Sequence, residues 1–251
     1  MCGRFTLRAS AKDFVEVFGC PPAEDHSHSL FNIAPSQLVT AIRTSAGSRA
    51  RAAARLRWGL IPSWADDPAI GNRMINARAE TVATKPAFRH AFRRRRCLIA
   101  ADGFYEWRRD GRRKQPFYIS LADGRPFAFA GLWDQWKQGG EPIESCTIIT
   151  TEANDLVHPI HDRMPVILSR ESYDTWLDPT IEDVERLASL LKPYPAQEMQ
   201  AYPVSTLVNA PANDLPECIA RIAESSPADE KAAASKVSSR KMPQDRQLWL
   251  E

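Results

Sequence analysis

The chain lacks any apolar run approaching the roughly 20 residues needed to cross a bilayer, so we expect no membrane partner. Its first ten residues contain no apolar leader, which predicts that the protein is not secreted and stays in the cytoplasm. No repeat recurs at solenoid spacing, which excludes an array of stacked units. Hydrophobic content of 43% and charged content of 25% are ordinary for a soluble globular protein.

Cysteine is scarce, odd in number and widely spaced. The five cysteines include no C-x-x-C pair, which disfavours both a disulfide framework and a structural zinc site. We therefore expect no metal and no cofactor. Cys97 and Cys146 lie in apolar, strand-like runs and are predicted to be inert core residues.

The net charge is small but unevenly distributed. The whole chain carries +2, whereas residues 43–113 contain 17 Lys and Arg against six Asp and Glu, a surplus of 11 that leaves −9 for the rest. A basic middle segment favours a surface for a polyanion. On charge alone, a solvated arginine-rich face is an equally good interpretation.

The order of elements predicts an α+β fold. Strand-like runs do not alternate regularly with helices, so we expect a mostly antiparallel, barrel-like sheet with flanking helices rather than a doubly wound parallel sheet. A single domain is predicted over residues 2–224. Residues 225–251 are rich in Ala, Ser, Lys and Pro, which predicts a disordered tail. The terminal Leu248-Trp249-Leu250 could dock on an unidentified protein partner or on the domain itself.

Local signals predict individual elements. Ser10–Phe18 is expected to form a helix, with its first residue as the cap and Gly19 at its end. Phe117–Leu121 and Pro126–Trp133 flank a turn at Asp123–Gly124 and are expected to pair as a hairpin. Further strands are expected at Gln37–Arg43, Ala54–Leu60, Cys97–Ala101, Cys146–Thr150, Val166–Leu168 and Ala201–Val204, and further helices at Glu171–Leu177 and Ile181–Leu191.

Cys2 stands where the mature N-terminus is expected, because methionine aminopeptidase removes Met1 when the second residue is small. One residue then carries a free α-amine and a thiol, with reference pKa values of about 8 and about 8.5. The amine can condense with an aldehyde to a Schiff base, and the thiol can then close a five-membered thiazolidine ring. An internal cysteine cannot close this ring. On this feature alone, an ordinary small residue after Met1 is the more common interpretation.

Six short motifs follow one another along the chain. They are Cys2-Gly3-Arg4-Phe5, Asn32-Ile33-Ala34-Pro35, Arg57–Trp64, Ile75–Thr81, Ala101–Trp107 and Ile160–Pro165. Taken together they resemble the SRAP (SOS response-associated peptidase) family, over about residues 2–220. The resemblance implies a single α+β domain with a barrel-like antiparallel core. It also implies a covalent trap for abasic sites in single-stranded DNA, in which the N-terminal cysteine forms a thiazolidine with the ring-opened sugar.

Glu106 and His161 are the candidate acid–base groups. Dehydration of the carbinolamine and opening of the sugar both need proton transfers that a carboxylate and an imidazole can supply. Glu106 lies between two aromatic residues that could raise its pKa, and the resemblance places it in the active site; a surface carboxylate beside two arginines is the alternative. The resemblance implies that His161 transfers a proton to the sugar oxygen. His158 forms a weak H-x-x-H pair with it and is expected to be structural.

Asn76, Arg78 and Arg4 are candidate positioning and phosphate-binding residues. Asn76 and Arg78 are two residues apart, so in an extended segment both side chains point the same way. Asn76 is expected to hold the N-terminal amine or the sugar, and Arg78 a phosphate, with an ion pair to Glu80 as the alternative for Arg78. Arg4 lies beside the nucleophile and could bind another phosphate or be a plain surface arginine.

Trp64, Pro35 and Thr150 are weaker candidates for lining the DNA path. An exposed Trp64 could wedge or stack against a base, which is worth roughly 1–3 kcal/mol, and a core tryptophan is the alternative. Arg93–Arg96 could follow the DNA backbone or form a solvated face.

The sequence therefore predicts a monomer that cross-links to abasic sites in single-stranded DNA, in the cytoplasm and at the nucleoid if the source is bacterial. Weak AP-lyase activity through the Schiff base is a further hypothesis. Two alternatives stay open. The first is a cysteine peptidase with Cys2 as thiolate and His161 as base. The second is a non-covalent single-stranded DNA-binding module, whose complexes would be salt-labile and independent of Cys2.

Overall fold

The computed structural model describes residues 2–23, 29–44, 50–111, 113–138 and 140–223. The strands are β1 (Phe5–Leu7), β2 (Leu30–Ile33), β3 (Leu38–Thr44), β4 (Arg51–Trp58), β5 (Asn76–Arg78), β6 (Arg96–Ala101), β7 (Gly103–Asp110), β8 (Arg113–Leu121), β9 (Phe127–Trp136), β10 (Ile143–Glu152), β11 (Arg163–Pro165), β12 (Ile167–Leu168) and β13 (Met199–Pro203). The helices are α1 (Ala11–Phe18), α2 (Arg89–Arg94), α3 (Tyr173–Leu177) and α4 (Val184–Ala188). Short 3₁₀ segments occur at Pro68–Arg73, Arg170–Ser172, Ala196–Glu198, Thr206–Asn209 and Pro216–Ile219.

Within the described residues, strands β3, β4, β6, β9 and β10 close a ring. Four of the pairings (β4–β3, β3–β6, β6–β9 and β9–β10) are antiparallel, and β10 returns to β4 in parallel. Buried apolar side chains, among them Leu56, Ile99, Phe129 and Ile148, build the core at this ring. Closure removes the exposed sheet edges that would otherwise template pairing with another chain.

A second, antiparallel sheet positions the N-terminus. Its strand order is β13-β8-β7-β1-β2. Phe5 on β1 lies opposite Phe104 on β7, and the Tyr105 N–H donates to the Arg4 carbonyl at 3.0 Å. Because the strands are antiparallel, this register directs the residues before Phe5 towards Glu106, which lies two residues beyond Phe104.

A buried polar network fixes β1. The Thr6 hydroxyl donates to the Asp102 carboxylate, and the Arg8 backbone N–H donates to the same carboxylate at 2.5 Å. The Tyr118 hydroxyl lies 3.0 Å from the Thr6 hydroxyl. Gly103 makes room for this ring, since a Cβ at that position would lie 2.1 Å from the Tyr118 hydroxyl.

The predicted α+β class with a mostly antiparallel, barrel-like sheet is confirmed. Helix α1 is also confirmed: the Ser10 hydroxyl accepts the Asp13 N–H at 3.1 Å, and Gly19 ends the helix at φ 72°. Cys97 and Cys146 are buried in the core, as predicted.

The predicted hairpin around Asp123–Gly124 is wrong. Strand β8 pairs with β7 and β13, whereas β9 pairs with β6, β10 and β12, so this turn carries the chain from one sheet to the other. Turn chemistry marks where the chain reverses but does not determine which strands then pair. The observed hairpin joins β7 to β8 around Gly111, at φ 57°, and carries Glu106. Helix α4 is shorter than the predicted Ile181–Leu191.

The arginine run Arg93–Arg96 is divided: Arg93 and Arg94 are exposed, as a solvated face predicts, whereas Arg95 and Arg96 are held against the protein. Arg96 is only 4% exposed, and its guanidinium donates to backbone carbonyls that include that of Trp176, at 2.6 Å. Arg95 pairs with the carboxylate of Asp134. These side chains hold α2 and α3 against the barrel.

No helix of the described ranges is long and apolar enough to span a membrane. The predicted disordered tail, residues 225–251, lies outside the described residues.

Candidate active site

Strand β1, the β7–β8 hairpin and two loops border a cleft of about 480 Å³. Its lining residues are Gly3, Arg4, Glu106, Trp107, Arg109, Lys114, His161 and Asn209. The hairpin supplies four of these, and the segment before β11 supplies His161. Three residues that the sequence predicted for the site, Arg4, Glu106 and His161, therefore share one cleft with Gly3, the neighbour of Cys2.

Cys2 is buried beneath this cleft. The Asn76 Nδ2 donates to the Cys2 carbonyl at 2.8 Å, which fixes the backbone at residue 2. The Cys2 Sγ lies 3.9 Å from the Arg4 carbonyl. Burial raises the pKa of the Cys2 thiol well above its usual range, and the negative charge of Glu106 adds to this effect. The thiol is therefore protonated at rest, and it lies within the electrostatic reach of Glu106.

Asn76 has a second functional atom. Its Oδ1 is buried and accepts no hydrogen bond from any described residue. An acceptor in this position beside residue 2 matches the predicted role of holding an amine.

Glu106 is a buried carboxyl, with 2% of its surface exposed. Burial raises the pKa of Glu106 from 4.5 to about 7. A carboxyl with this pKa exchanges protons in both directions near neutral pH, as a general acid–base group must. The alternative of a surface carboxylate is wrong, since Glu106 lies inside the cleft.

His161 is held as a neutral imidazole. Burial lowers the pKa of His161 below its usual value. Its Nδ1 accepts the Arg163 backbone N–H at 3.0 Å and also lies 2.8 Å from a carboxylate oxygen of the exposed Asp162. The Arg163 N–H requires a lone pair on Nδ1, which puts the proton of a neutral ring on Nε2, whereas a hydrogen bond to Asp162 requires that proton on Nδ1. The two neutral tautomers therefore use different partners, and Nε2 is a donor in the first and an acceptor in the second.

Arg4 is held in place by the loop after β13. Its guanidinium donates to the Val208 carbonyl at 3.0 Å. The buried Asn32 fixes the same loop, because its Nδ2 donates to the carbonyls of Val208, Ala210 and Asn213 at 3.2, 3.0 and 2.8 Å. Arg4 is thus a built part of the cleft wall.

Arg78 lies on β5, two residues after Asn76, as predicted. The buried Ala77 between them shows the alternation expected of a strand, and Arg78 is exposed. Glu80 is paired with Arg163, at 2.6 and 3.0 Å, and not with Arg78. The predicted alternative ion pair with Glu80 is therefore wrong, and Arg78 is available to a ligand.

The weaker candidates differ in their placement. Trp64 is 55% exposed, so the core alternative is wrong for this residue. Pro35 is half-buried directly after β2. Thr150 is fully buried, its hydroxyl donates to the Ala77 carbonyl at 3.4 Å, and its own carbonyl accepts from Arg163 at 2.7 Å. Thr150 therefore lies beneath Arg163 and not on a DNA-facing surface.

Among the described residues, no three His, Cys, Asp or Glu side chains are grouped so that they could hold a metal ion. His158 and His161 accordingly have no third ligand there.

Besides Gly3, four residues of the cleft were not predicted as site residues: Trp107, Arg109, Lys114 and Asn209. Asn209 accepts the Trp107 indole N–H at 2.8 Å, a contact between residues 102 apart that no local pattern signals. Arg109 and Lys114 could have been found, because the Asp110-Gly111 dipeptide between them is a hairpin signal.

Comparison with known proteins places these features in context. A family model described as SOS response associated peptidase (SRAP) matches residues 1–211. The abasic site processing protein YoqW of Bacillus subtilis is 49% identical over 224 residues, which cover 87% of this chain and 99% of YoqW. The abasic site processing protein YedK of Escherichia coli is 31% identical over 229 residues, covering 87% of this chain and 99% of YedK.

A solved structure from Bacteroides thetaiotaomicron has the same fold. It superposes with a TM-score of 0.79 at 30% sequence identity, over 88% of this chain and 100% of that one.

Proposed function

The chain belongs to the SOS response associated peptidase (SRAP) family, and from that premise we propose that it processes abasic sites in single-stranded DNA by forming a thiazolidine cross-link through Cys2. The observation that carries the proposal is the β1–β7 register, which directs the N-terminal residues towards Glu106, so that Gly3, the neighbour of Cys2, lines one cleft with Glu106 and His161. Relatives that are 49% and 31% identical are named abasic site processing proteins. The protein is proposed to act as a cytoplasmic monomer, at the nucleoid if its source is bacterial.

The cross-link requires a free amine on Cys2, and therefore removal of Met1. An abasic deoxyribose opens to an aldehyde at C1′, which the amine attacks to give a carbinolamine. Loss of one water gives the imine. The thiol sulfur then bonds to the imine carbon, and the imine nitrogen gains the proton that the thiol loses. The sum is one new C–N bond, one new C–S bond and one released water.

Glu106 and His161 are proposed to move the protons in these steps. Glu106, with a pKa of about 7, can protonate the departing hydroxyl of the carbinolamine and take the N–H proton as the imine forms. It can then carry the thiol proton to the imine nitrogen as sulfur attacks. The neutral His161 can take the proton of the C1′ hydroxyl and pass it, as imidazolium, to O4′ as the C1′–O4′ bond breaks, which returns the ring to its neutral form. The Asn76 Oδ1 can accept from the Cys2 amine while its Nδ2 holds the Cys2 carbonyl.

The DNA strand is proposed to run over the basic surface beside the cleft. Arg4 and Arg78 can each neutralise a phosphate, and the exposed Trp64 offers a ring on which a base can stack. Pro35 is assigned to lining this path, and Thr150, buried beneath Arg163, to supporting that arginine.

The direct test incubates protein without an N-terminal tag with a single-stranded abasic oligonucleotide. A band that survives denaturation is expected, and Cys2→Ala should remove it, whereas Cys20→Ala, a change at another buried cysteine, should not. An undiminished band from Cys2→Ala refutes the proposal. An uncleaved tag before Met1 should also abolish the band, since the amine is then an amide.

Weak lyase activity follows from the Schiff base. The imine makes the adjacent sugar hydrogen acidic and permits β-elimination of the 3′ phosphate. Cys2→Ala keeps an α-amine but cannot close the ring, so it should form an imine that borohydride traps and should cleave the strand faster than the wild type. Strand cleavage by Cys2→Ala at or below the rate without protein contradicts this step.

The alternative enzymatic hypothesis is a peptidase activity through Cys2. Cysteine peptidases depend on a thiol whose pKa is lowered towards a thiolate, whereas burial raises the pKa of Cys2. We therefore expect no hydrolysis of added peptides without DNA. The same cross-linking test distinguishes the covalent hypothesis from non-covalent DNA binding, since a salt-labile complex does not survive denaturation.

A further inference from the structure

The β7–β8 hairpin places two cations directly opposite each other at the cleft. Arg109 on β7 pairs in register with Lys114 on β8, and both side chains line the cleft. Residues opposite each other in an antiparallel pair project from the same face, and like charges in that arrangement destabilise a sheet. Neither side chain forms an ion pair with an acidic side chain among the described residues. An anion between them would remove the repulsion.

The surroundings of the pair favour an anionic ligand. Trp107 projects from the same face of β7 as Arg109, two residues away, and its indole is held by Asn209 at 2.8 Å. The carboxyl of Glu106 is the cleft's one acidic lining group among the residues described, against Arg4, Arg109 and Lys114. The cleft is therefore positive on the side of the hairpin tip.

The pair lies close to the reacting groups. Arg109 is three residues from Glu106 along β7, a distance of about 10 Å, and although side chains at this spacing leave opposite faces of a strand, both line the cleft. Its positive charge also contributes to lowering the pKa of His161, after the larger effect of burial. A DNA strand whose abasic sugar lies at Glu106 can therefore bring a neighbouring phosphate to the pair.

We propose that Arg109 and Lys114 form a phosphate subsite that binds one backbone phosphate flanking the abasic sugar. The proposal rests on the proposed function, since it assumes that the sugar is bound at Glu106. The subsite acts on binding and orientation and takes no part in the bond-making steps. The two cations neutralise part of the negative charge that the DNA strand brings near Glu106, whose carboxyl must remain able to exchange protons.

The experiment measures cross-linking rates with protein in excess over abasic oligonucleotide, to give a half-saturating concentration and a limiting rate. Arg109→Gln/Lys114→Gln should raise the half-saturating concentration about tenfold or more, since charge-assisted hydrogen bonds are lost, and leave the limiting rate unchanged. Lys12→Gln, on the exposed face of α1, is the control and should change neither value. The double variant should melt no lower than wild type, because it removes a like-charge pair.

Oligonucleotides with a single uncharged methylphosphonate, placed on one side of the abasic site or the other, locate the phosphate. At one position the substitution should weaken wild-type binding and leave the double variant unaffected. If it weakens both proteins equally at each position, or if the double variant binds as the wild type does, the subsite is wrong. If the wild type itself forms no cross-link to the unmodified strand, the proposed function fails instead.

Discussion

Glu106 is the residue at which the fold and the proposed chemistry make opposite demands. Its folded pKa of about 7 lies above the ordinary 4.5 because the carboxyl is buried. Between these two pH values the unfolded chain has released its proton and the folded chain has not. Stability therefore falls as the pH rises through this window, and the loss is complete above pH 7.

Glu106→Gln should consequently stabilise the protein at pH 8 by up to about 3 kcal/mol, because an uncharged amide avoids the cost of ionising a buried carboxyl. The gain should shrink towards pH 4.5. Thermal or urea unfolding at pH 5 and pH 8 measures it. The same variant should slow cross-linking by about 10²–10⁴-fold. A variant that is slower but gains no stability at high pH would mean that Glu106 is not held with a raised pKa.

The chemistry of single residues was the part most open to prediction. Cys2, Glu106 and His161 belong to short motifs, and each motif carries its own chemical signal. The burial that sets their pKa values was not predictable, since it depends on β1, β7 and the segment before β11 meeting from distant parts of the chain.

At the scale of elements, β1 is the strand on which the site depends. It is three residues long, and its position is set by the buried contacts of Thr6 with Asp102 and Tyr118. Gly103 admits the Tyr118 ring at this point.

Gly103→Ala should therefore destabilise the protein by about 1–3 kcal/mol or more, since the added methyl overlaps the Tyr118 hydroxyl. Gly124→Asn is the comparison: no atom lies within 4 Å of a Cβ there, and asparagine tolerates the φ of 72°. Denaturant unfolding compares the two. Equal stability of both variants would show that Tyr118 can move aside and that β1 is not fixed by this network.

The loop after β13 is the second element that shapes the cleft. Asn32→Ala removes three hydrogen bonds to carbonyls of this loop, so we expect the free energy of unfolding to fall by about 2–4 kcal/mol. Asn72→Ala, at an exposed asparagine, should cost far less. Chemical denaturation tests both. A small effect at Asn32 would indicate that the loop holds Arg4 by other means.

The positions of helices and strands could be predicted better than the pairing of the strands. The helix over α1 and the strands of the barrel follow from caps and apolar runs, which are local. The false hairpin at Asp123–Gly124 shows the limit: a turn between two strands looks the same whether they pair with each other or with strands far away in sequence.

At the scale of the whole molecule, the composition of the basic middle segment favours a polyanion-binding face and a solvated surface equally. The structure divides that segment. Arg95 and Arg96 are occupied inside the protein, whereas Arg78 is exposed beside the site.

Cross-linking should therefore weaken with salt according to the number of phosphates bound. Arg78→Gln should reduce the slope of log affinity against log salt by about 0.7, the value for one phosphate of a single strand. Arg125→Gln is the control, since Arg125 is paired with Asp123 at 2.7 Å. An unchanged slope for Arg78→Gln would remove this arginine from the DNA path.

The most direct test of the central claim is tandem mass spectrometry of the cross-linked N-terminal peptide. The peptide should begin at Cys2, without Met1, and should carry the sugar remnant on both the amine and the sulfur, with one water lost. Attachment of the remnant to a lysine or an internal cysteine, or to a peptide that still begins with Met1, would contradict the account.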